Sequence, residues 1–343
     1  MNFQQLRYVR SAIQNGLNLT EVANTLFTSQ SGVSKQIKEL EAELGVEIFV
    51  RRGKRLVGLT KAGEDVAGVI DRLLAEADNL KRLSEHYKQS DKGRLVIATT
   101  HNQARYALPR VIARFTRLFP DVEVELRQGT PKYVVQTLLR GVADVGIATE
   151  TVEDSPELTT YSCYSWEHVV VVPPGHPLTQ LPTPTLHDIA RYPLVTYNAG
   201  FSGRSQIDAA FEAAGIVPEI RLTAMDADVI KTYVGIGMGV GIVAEMAAVA
   251  DPCDDLVTVR GSNAFFAPKV TKIAVRRGAL LRNYSYRLIE MLAPHLDYAV
   301  LTGTARRPAA DREPPVPRFA DRADLHRAEE EPPRLAAQGS GAS

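Results

Sequence analysis

The forty residues from Thr20 to Leu59, TEVANTLFTSQSGVSKQIKELEAELGVEIFVRRGKRLVGL, leave this chain few ways to begin folding. They hold two short helical patterns, a break too tight for anything but a turn, and a basic hairpin directly behind. Thr20 can cap the first helix, whose apolar face is Val22, Ala23 and Leu26. The break is Phe27-Thr28-Ser29-Gln30. The second helix runs from about Ser31 to Leu44, with Val33, Ile37, Leu40 and Leu44 spaced by three and four along one face. Gly45 offers the left-handed residue that ends it. Ile48-Phe49-Val50 and Leu56-Val57-Gly58-Leu59 then flank the tip Arg51-Arg52-Gly53-Lys54-Arg55.

The outer face of the second helix carries Gln30, Ser31, Ser34, Lys35, Gln36 and Lys38. Glutamine and serine bond base edges or phosphates, and lysine neutralises phosphate. A basic wing beside such a helix reaches a groove or the flanking phosphates. A solvated helix followed by an ordinary charged loop would not need these parts in this order. The expected DNA contacts are Thr28, Gln30, Ser31, Ser34, Lys35, Lys38, Arg51, Arg52 and Lys54. The opening FQQLRYV, the run above and LTKAGE resemble the winged helix-turn-helix of LysR-type transcriptional regulators.

The formal net charge is +0, which argues against a general nucleic-acid coat protein. A sequence-specific binder needs only a local patch, and Arg51, Arg52, Lys54, Arg55 and Lys61 supply one. Met1 leads straight into an amphipathic pattern, and no apolar run is long enough to span a membrane, so a cytoplasmic protein without a signal peptide is expected. Cys163 and Cys253 are too few for a disulfide framework.

Phe3, Leu6, Val9 and Ile13 make a first helix that braces the other two. Thr60 is a good N-cap for a long helix from Lys61 to about Lys88. Its stripe is Ala62, Val66, Val69, Leu73, Ala77, Leu80, Leu83 and Tyr87. An isolated helix of that length leaves its stripe wet, so it is expected to pack against a copy of itself, unless its own chain covers it. After Ser90-Asp91-Lys92-Gly93, strands and helices alternate: strand Arg94 to Thr99, helix Gln103 to Phe119, strand Val122 to Leu126, helix Lys132 to Arg140, strand Ala143 to Ala148. A second set follows Val169 to Pro173 and Leu194 to Tyr197. It comprises helix Ser205 to Ala214, strand Ile220 to Thr223, helix Asp226 to Val234 and strand Gly239 to Val243. Strand Thr271 to Val275 and a helix from about Leu280 to Leu296 close the domain. Such alternation implies a parallel sheet, and two similar α/β halves imply a cleft, as in periplasmic solute-binding proteins. The expected α/β architecture is therefore a winged helix-turn-helix over residues 1–60, a linker helix over 61–89 and a two-lobed effector domain over 90–300. Residues 301–343, rich in Pro, Ala and mixed charge, are expected to be a disordered tail.

In Thr99-Thr100-His101-Asn102-Gln103-Ala104-Arg105 a strand ends and a helix begins, so hydroxyls and amides meet free N–H groups and the positive helix end. Asn198-Ala199-Gly200-Phe201-Ser202-Gly203 is a similar junction, and Thr149 ends the third strand. Singly, Thr100 and Ser202 could be plain helix caps, but three junctions on one cleft favour an anion site. The segment from Thr99 to Glu150, with Trp166, the Val-Val-Val-Pro-Pro-Gly-His-Pro run and Tyr197, is similar to the cysteine-regulon activator CysB and its sulfur-assimilation relatives. That resemblance covers roughly residues 1 to 300. It implies a cleft for a sulfate-like anion, with acetylserine as inducer, formed by Thr100, Asn102, Gln103, Thr149, Trp166 and Ser202. The subgroup usually has Thr at positions 102 and 202; Asn and Ser here both keep a hydrogen-bonding group, and Asn102 changes its shape and reach. It also implies an activator of cysteine biosynthesis that binds promoter DNA, works with RNA polymerase and forms a homodimer assembling to a homotetramer. A paralogue answering to adenosine phosphosulfate is the alternative, and a solute-binding or enzymatic α/β protein a remote one.

No cofactor motif is present. Gly235-Ile-Gly237-Met-Gly239-Val-Gly241 lacks nucleotide-loop spacing and lies between a helix and a following strand, the order of a tight turn. His101 has no accompanying nucleophile and carboxylate, so no enzyme is expected. Cys163 near Trp166 reads as packing, and no His/Cys cluster suggests a metal.

Overall fold

A computed structural model describes residues 1–53, 55–87, 91–150, 152–201, 203–249, 255–296, 301 and 315–326, with side chains of the long helix described to residue 80. The chain divides into two compact units, residues 1–90 with 278–282, and residues 91–277 with 283–343.

In the first unit, α1 (Phe3–Gln14), α2 (Leu19–Thr25) and α3 (Gln30–Leu44) close around Leu6, Val9, Val22, Val33, Ile37 and Leu40. The cap of α2 is Asn18 rather than Thr20: its side chain accepts from the Thr20 and Glu21 N–H groups. Leu19 is buried and already helical, which moves Thr20 inside the first turn. Ser29 caps α3, and Gly45 ends it in the left-handed region at φ 68°, as its sequence position requires. Strands β1 (Phe49–Arg52) and β2 (Arg55–Leu59) pair antiparallel as the wing. Thr60 then caps α4 (Lys61–Tyr87), accepting from the Gly63 N–H at 2.8 Å. A Cβ at Gly63 would stand 1.9 Å from the Ile48 carbonyl, so only glycine lets the helix start this close to the wing.

Helix α4 carries two apolar rows side by side. Ile70 and Leu74 are buried in the three-helix core. Of the row expected from sequence, Val66 packs against that core, while Val69 at 45%, Leu73 at 40% and Leu80 at 70%, one residue out of step with the buried pair, are exposed. Leu83 and Tyr87 of that row lie outside the described side chains. Asn79 holds residues 278–282 to this unit, donating to the Gly278 carbonyl and accepting from the Leu280 N–H.

The second unit contains two five-stranded sheets. In chain order its elements are β3 (Gly93–Thr99), α5 (Leu108–Leu118), β4 (Val122–Gln128), α6 (Pro131–Leu139), β5 (Val145–Ala148) and β6 (Leu158–Trp166). Then come β7 (His168–Val172), α7 (Leu186–Ile189), β8 (Leu194–Tyr197), α8 (Arg204–Ala213), β9 (Ile220–Ala224) and α9 (Ala227–Gly235). The last are β10 (Val240–Ala244), α10 (Glu245–Val249), β11 (Val257–Thr258), β12 (Lys269–Arg276), α11 (Asn283–Leu292) and α12 (Ala323–His326). One sheet runs β4-β3-β5-β12-β6 and the other β11-β7-β10-β8-β9.

Both sheets are mixed, not purely parallel. Strands β3, β4 and β5 pair parallel, as do β8, β9 and β10, each linked by a helix. Strands β6, β7, β11 and β12, which pass the chain between sheets without a crossover helix, pair antiparallel. Strands β5, β7, β8 and β10 are buried along their whole length, the mark of a sheet covered on both faces. Glu167 alone separates β6 in one sheet from β7 in the other.

The expectation of an unstructured tail fails at residues 315–326. Phe319 and Leu325 are buried, at 0% and 1% exposure, against the second unit. The composition is poor in large apolar residues, but those two are spaced to reach an existing core. The rest of the 302–343 tail lies outside the described residues.

Candidate functional site

The three-and-four spacing of Val33, Ile37 and Leu40 sinks one side of α3 into the core, so its other side must face outward. Thr28, Gln30, Ser31, Lys35 and Lys38 are exposed, and Ser34 is half-buried. Lys35 stands 3.7 Å from Glu39, an exposed pair weak enough to exchange for a phosphate. On the wing, Arg52 and Arg55 are exposed beside the Gly53 turn, and Lys54 lies outside the described residues. Gln30 and Arg55 also line one recess of about 440 Å³ with the start of α2. Arg51 differs from the expectation. Its guanidinium is bonded at 2.7 Å to Glu41, whose other oxygen accepts from the Ile48 and Phe49 N–H groups. Arg51 thus pins the wing to α3 and is drawn away from the exposed basic face.

The second candidate site grows from the end of β3. Here the chain takes one π turn, Gln103–Ala107, before α5 begins, and the Leu108 N–H reaches back to the Gln103 carbonyl. Pro109 has no N–H to continue an α-helical ladder through this point. The turn buries Asn102, Gln103 and Tyr106. Gln103 donates through Nε2 to the Thr271 hydroxyl at 3.0 Å and accepts the Tyr164 hydroxyl on Oε1. Trp166 donates through Nε1 to the same Thr271 oxygen at 3.1 Å, and Thr149 Oγ1 lies 3.5 Å from it. Both lone pairs of Thr271 are therefore used, and its proton is left for the Tyr164 or Thr149 hydroxyl.

Asn102 donates to the Tyr197 hydroxyl at 3.3 Å, joining the first half of the unit to β8 in the second. Tyr197 also accepts the Ala244 N–H, and burial pushes its phenol up to about 12, so it stays protonated as a neutral donor. Thr100 is half-buried, and its carbonyl accepts from the Ala104 N–H at the mouth of the turn. Ser202 lies outside the described residues. Its neighbour Gly203 begins α8 at φ 76° and offers no side-chain cap to the helix N–H groups. A Cβ there would lie 2.8 Å from His168 Cε1, so the backbone approaches closely at this end of the helix.

Of the six expected ligand residues, Gln103, Thr149 and Trp166 meet at Thr271, Asn102 is tied to Tyr197, and Thr100 borders the turn. Thr271, Tyr164 and Tyr106 were not anticipated. A lone threonine within a strand gives no sign of partners more than a hundred residues away.

Asp228, in the first turn of α9, was not anticipated either. It accepts Tyr106 Oη at 2.6 Å and His101 Nε2 at 3.2 Å, with Arg105 and Lys231 at 3.6 and 3.7 Å. Burial works against its charge, but these bonds and cations outweigh burial and hold the carboxyl below its ordinary range. His101, Asp226 and Asp228 bring ligating atoms within 4.8 Å of one another. Arg105 and Lys231 beside Asp228 make that cluster unfavourable for a metal cation.

Two family descriptions match the chain: bacterial regulatory helix-turn-helix protein, lysR family, over residues 3–64, and LysR substrate binding domain over residues 88–297. The chain is 56% identical over 307 residues to the HTH-type transcriptional regulator SsuR of Burkholderia cenocepacia, covering 89% of this chain and 99% of that one. It is 46% identical over 297 residues to the HTH-type transcriptional regulator CysB of the same organism, covering 87% and 95%. The crystal structure of the cofactor-binding domain of the Cbl transcriptional regulator aligns at TM-score 0.59 and 42% identity, covering 62% of this chain and 93% of that one.

Proposed function

The chain belongs to the LysR family of bacterial transcriptional regulators, and on that premise we propose that it controls sulfur-assimilation and cysteine-biosynthesis genes in response to a small anion. It is a DNA-binding regulator with an effector domain, not an enzyme. The observation that carries the ligand class is the Thr271 hub. Neutral hydroxyl, amide and indole groups converge there beside a strand end, and α8 starts nearby without a side-chain cap. Such a set suits a sulfate-like dianion, which neutral donors and helix ends can hold without a buried cation. Acetylserine fits the same reading, because its carboxylate would take the donors that sulfate takes.

A second reading is a paralogue tuned to another sulfur-containing anion, such as adenosine phosphosulfate. Identity is higher to SsuR, 56%, than to CysB, 46%, and Asn102 reaches differently from a threonine. The outer face of α3 and the wing would read promoter DNA through Thr28, Gln30, Ser31, Ser34, Lys35, Lys38, Arg52 and Lys54. The exposed row Val69, Leu73 and Leu80 would be covered by a second copy, giving a dimer for two half-sites and then a tetramer. RNA polymerase is the further partner in this reading, and the cytoplasm its compartment. Among the described residues no helix is long and apolar enough to cross a membrane.

Calorimetry of the full chain with sulfate, thiosulfate, acetylserine and adenosine phosphosulfate separates the readings. Sulfate or acetylserine binding that alters operator affinity supports the first, and a response to adenosine phosphosulfate alone supports the second. Failure of all four would sink the anion reading.

A further inference from the structure

The segment 315–326 seats itself where the ligand site is supported from behind. Strand β6 is the free edge of its sheet, and the segment pairs with it: the Ser165 N–H donates to the Pro317 carbonyl at 2.8 Å, with a parallel bridge from Ser165 to Arg318. Proline suits that place, since its missing N–H is not asked to bond and its fixed φ lowers the cost of ordering the segment. Beyond this bridge Phe319, Arg322 and Leu325 are buried, and Arg318 stays half exposed.

Phe319 lies against Tyr164 at a ring separation of 5.3 Å. Tyr164 holds the Gln103 amide oxygen, which leaves Gln103 Nε2 aimed at Thr271, the oxygen that also receives Trp166. Arg318 places its guanidinium 2.9 Å from Glu167 and 3.7 Å from Glu245. Glu167 is the single residue between the sheets, and its carbonyl accepts the Glu245 N–H. Arg322 is buried, paired with Asp324, and donates to the Leu292 and Met291 carbonyls at the end of α11.

We propose that residues 315–326 are a positioning element of the ligand site, setting the Tyr164–Gln103–Thr271–Trp166 arrangement through Phe319 and fixing the β6-to-β7 passage through Arg318. The inference rests on reading that arrangement as the ligand site. Coupling of this kind is reciprocal: an anion bound at Thr271 tightens the segment on β6, and loss of the segment weakens the anion.

Trp166 is the chain's single tryptophan, so its fluorescence reports on the site with or without ligand. In the full-length chain, Phe319→Ala and Arg318→Ala should each change the Trp166 emission of the ligand-free protein. Both should weaken inorganic sulfate, read by the same emission, by about tenfold, the size of one charge-assisted hydrogen bond. Arg318→Lys and Phe319→Leu should restore most of both signals, which a general loss of folding would not allow. Arg318 is half exposed, so its variant tests the idea even if Phe319→Ala unfolds. In the unaltered chain, sulfate should slow hydrogen exchange at the Ser165 amide. Unchanged Trp166 emission in folded variants overturns the proposal. If sulfate leaves the unaltered chain's emission flat, the sulfate reading fails, while the ligand-free emission of the variants still decides the role of the segment.

Discussion

The proposed DNA-reading face and the proposed ligand site lie at opposite ends of what side chains do for recognition. The first is a row of exposed groups on α3 and the wing, including Lys35, Lys38, Arg52 and Arg55, with Lys35 held only by an exposed pair to Glu39. The second is a closed set of neutral groups in which Gln103, Tyr164, Trp166 and Thr271 satisfy one another. An exposed cation adds a salt-screened increment, and its loss leaves no orphan behind. A buried donor that loses its acceptor keeps its full desolvation cost. The same chain should therefore answer a one-atom change gently in one unit and severely in the other.

The severest case is Thr271→Val, which keeps shape but removes the oxygen that serves two buried donors. Stranding Gln103 Nε2 and Trp166 Nε1 should cost on the order of 3 kcal/mol in the second unit. Urea unfolding followed by Trp166 emission should show the loss, while operator binding at low temperature persists. A variant as stable as the parent would mean that the hub is wet enough for water to replace the oxygen, and the contrast between the two units would weaken.

That contrast also explains which parts could be read from sequence. Helix α3, its Gly45 end, the wing and the Thr60 cap follow from neighbours within four residues or from one short turn, and all were legible. Thr271 was not, because its partners come from positions 103 and 166. Strand β6, LTTYSCYSW, escaped notice because its polar and aromatic residues follow no clean apolar alternation. Arg51 looked like its neighbours on the basic tip, and only the fold reveals Glu41 beside it. Composition hid the tail: two buried anchors in a Pro-rich stretch barely alter an average, yet they decide whether residues 315–326 pack.

A smaller effect is expected at the rim of the ligand site. Thr100→Val removes one hydroxyl that enters none of the side-chain bonds at the Thr271 hub. Stability should change little, whereas sulfate affinity should fall about tenfold, for one lost bond to a charged acceptor. Basal operator binding should remain, and the ligand response should require about tenfold more sulfate. Calorimetry giving unaltered sulfate and acetylserine binding would move the effector site elsewhere in the unit.

The sharpest comparison sets two neighbours against each other. Arg51 and Arg52 are adjacent on β1, yet one is bonded to Glu41 and the other is exposed. Arg51→Ala should lower the stability of the first unit by about 1–2 kcal/mol, since a charged hydrogen bond to a largely buried carboxylate is lost. Its operator salt slope should stay near that of the parent once binding is measured well below the unfolding transition. Arg52→Ala should do the reverse. Melting is unchanged, while the slope of log affinity against log salt flattens by about 0.9, one phosphate's worth of released counterion. The reasoning turns on one arginine having no freedom to leave its carboxylate and the other having no partner to keep it from DNA among the described residues. Equal slopes for the two variants would show that Glu41 releases Arg51 when DNA arrives, and the division between structural and reading residues on the wing would be abandoned.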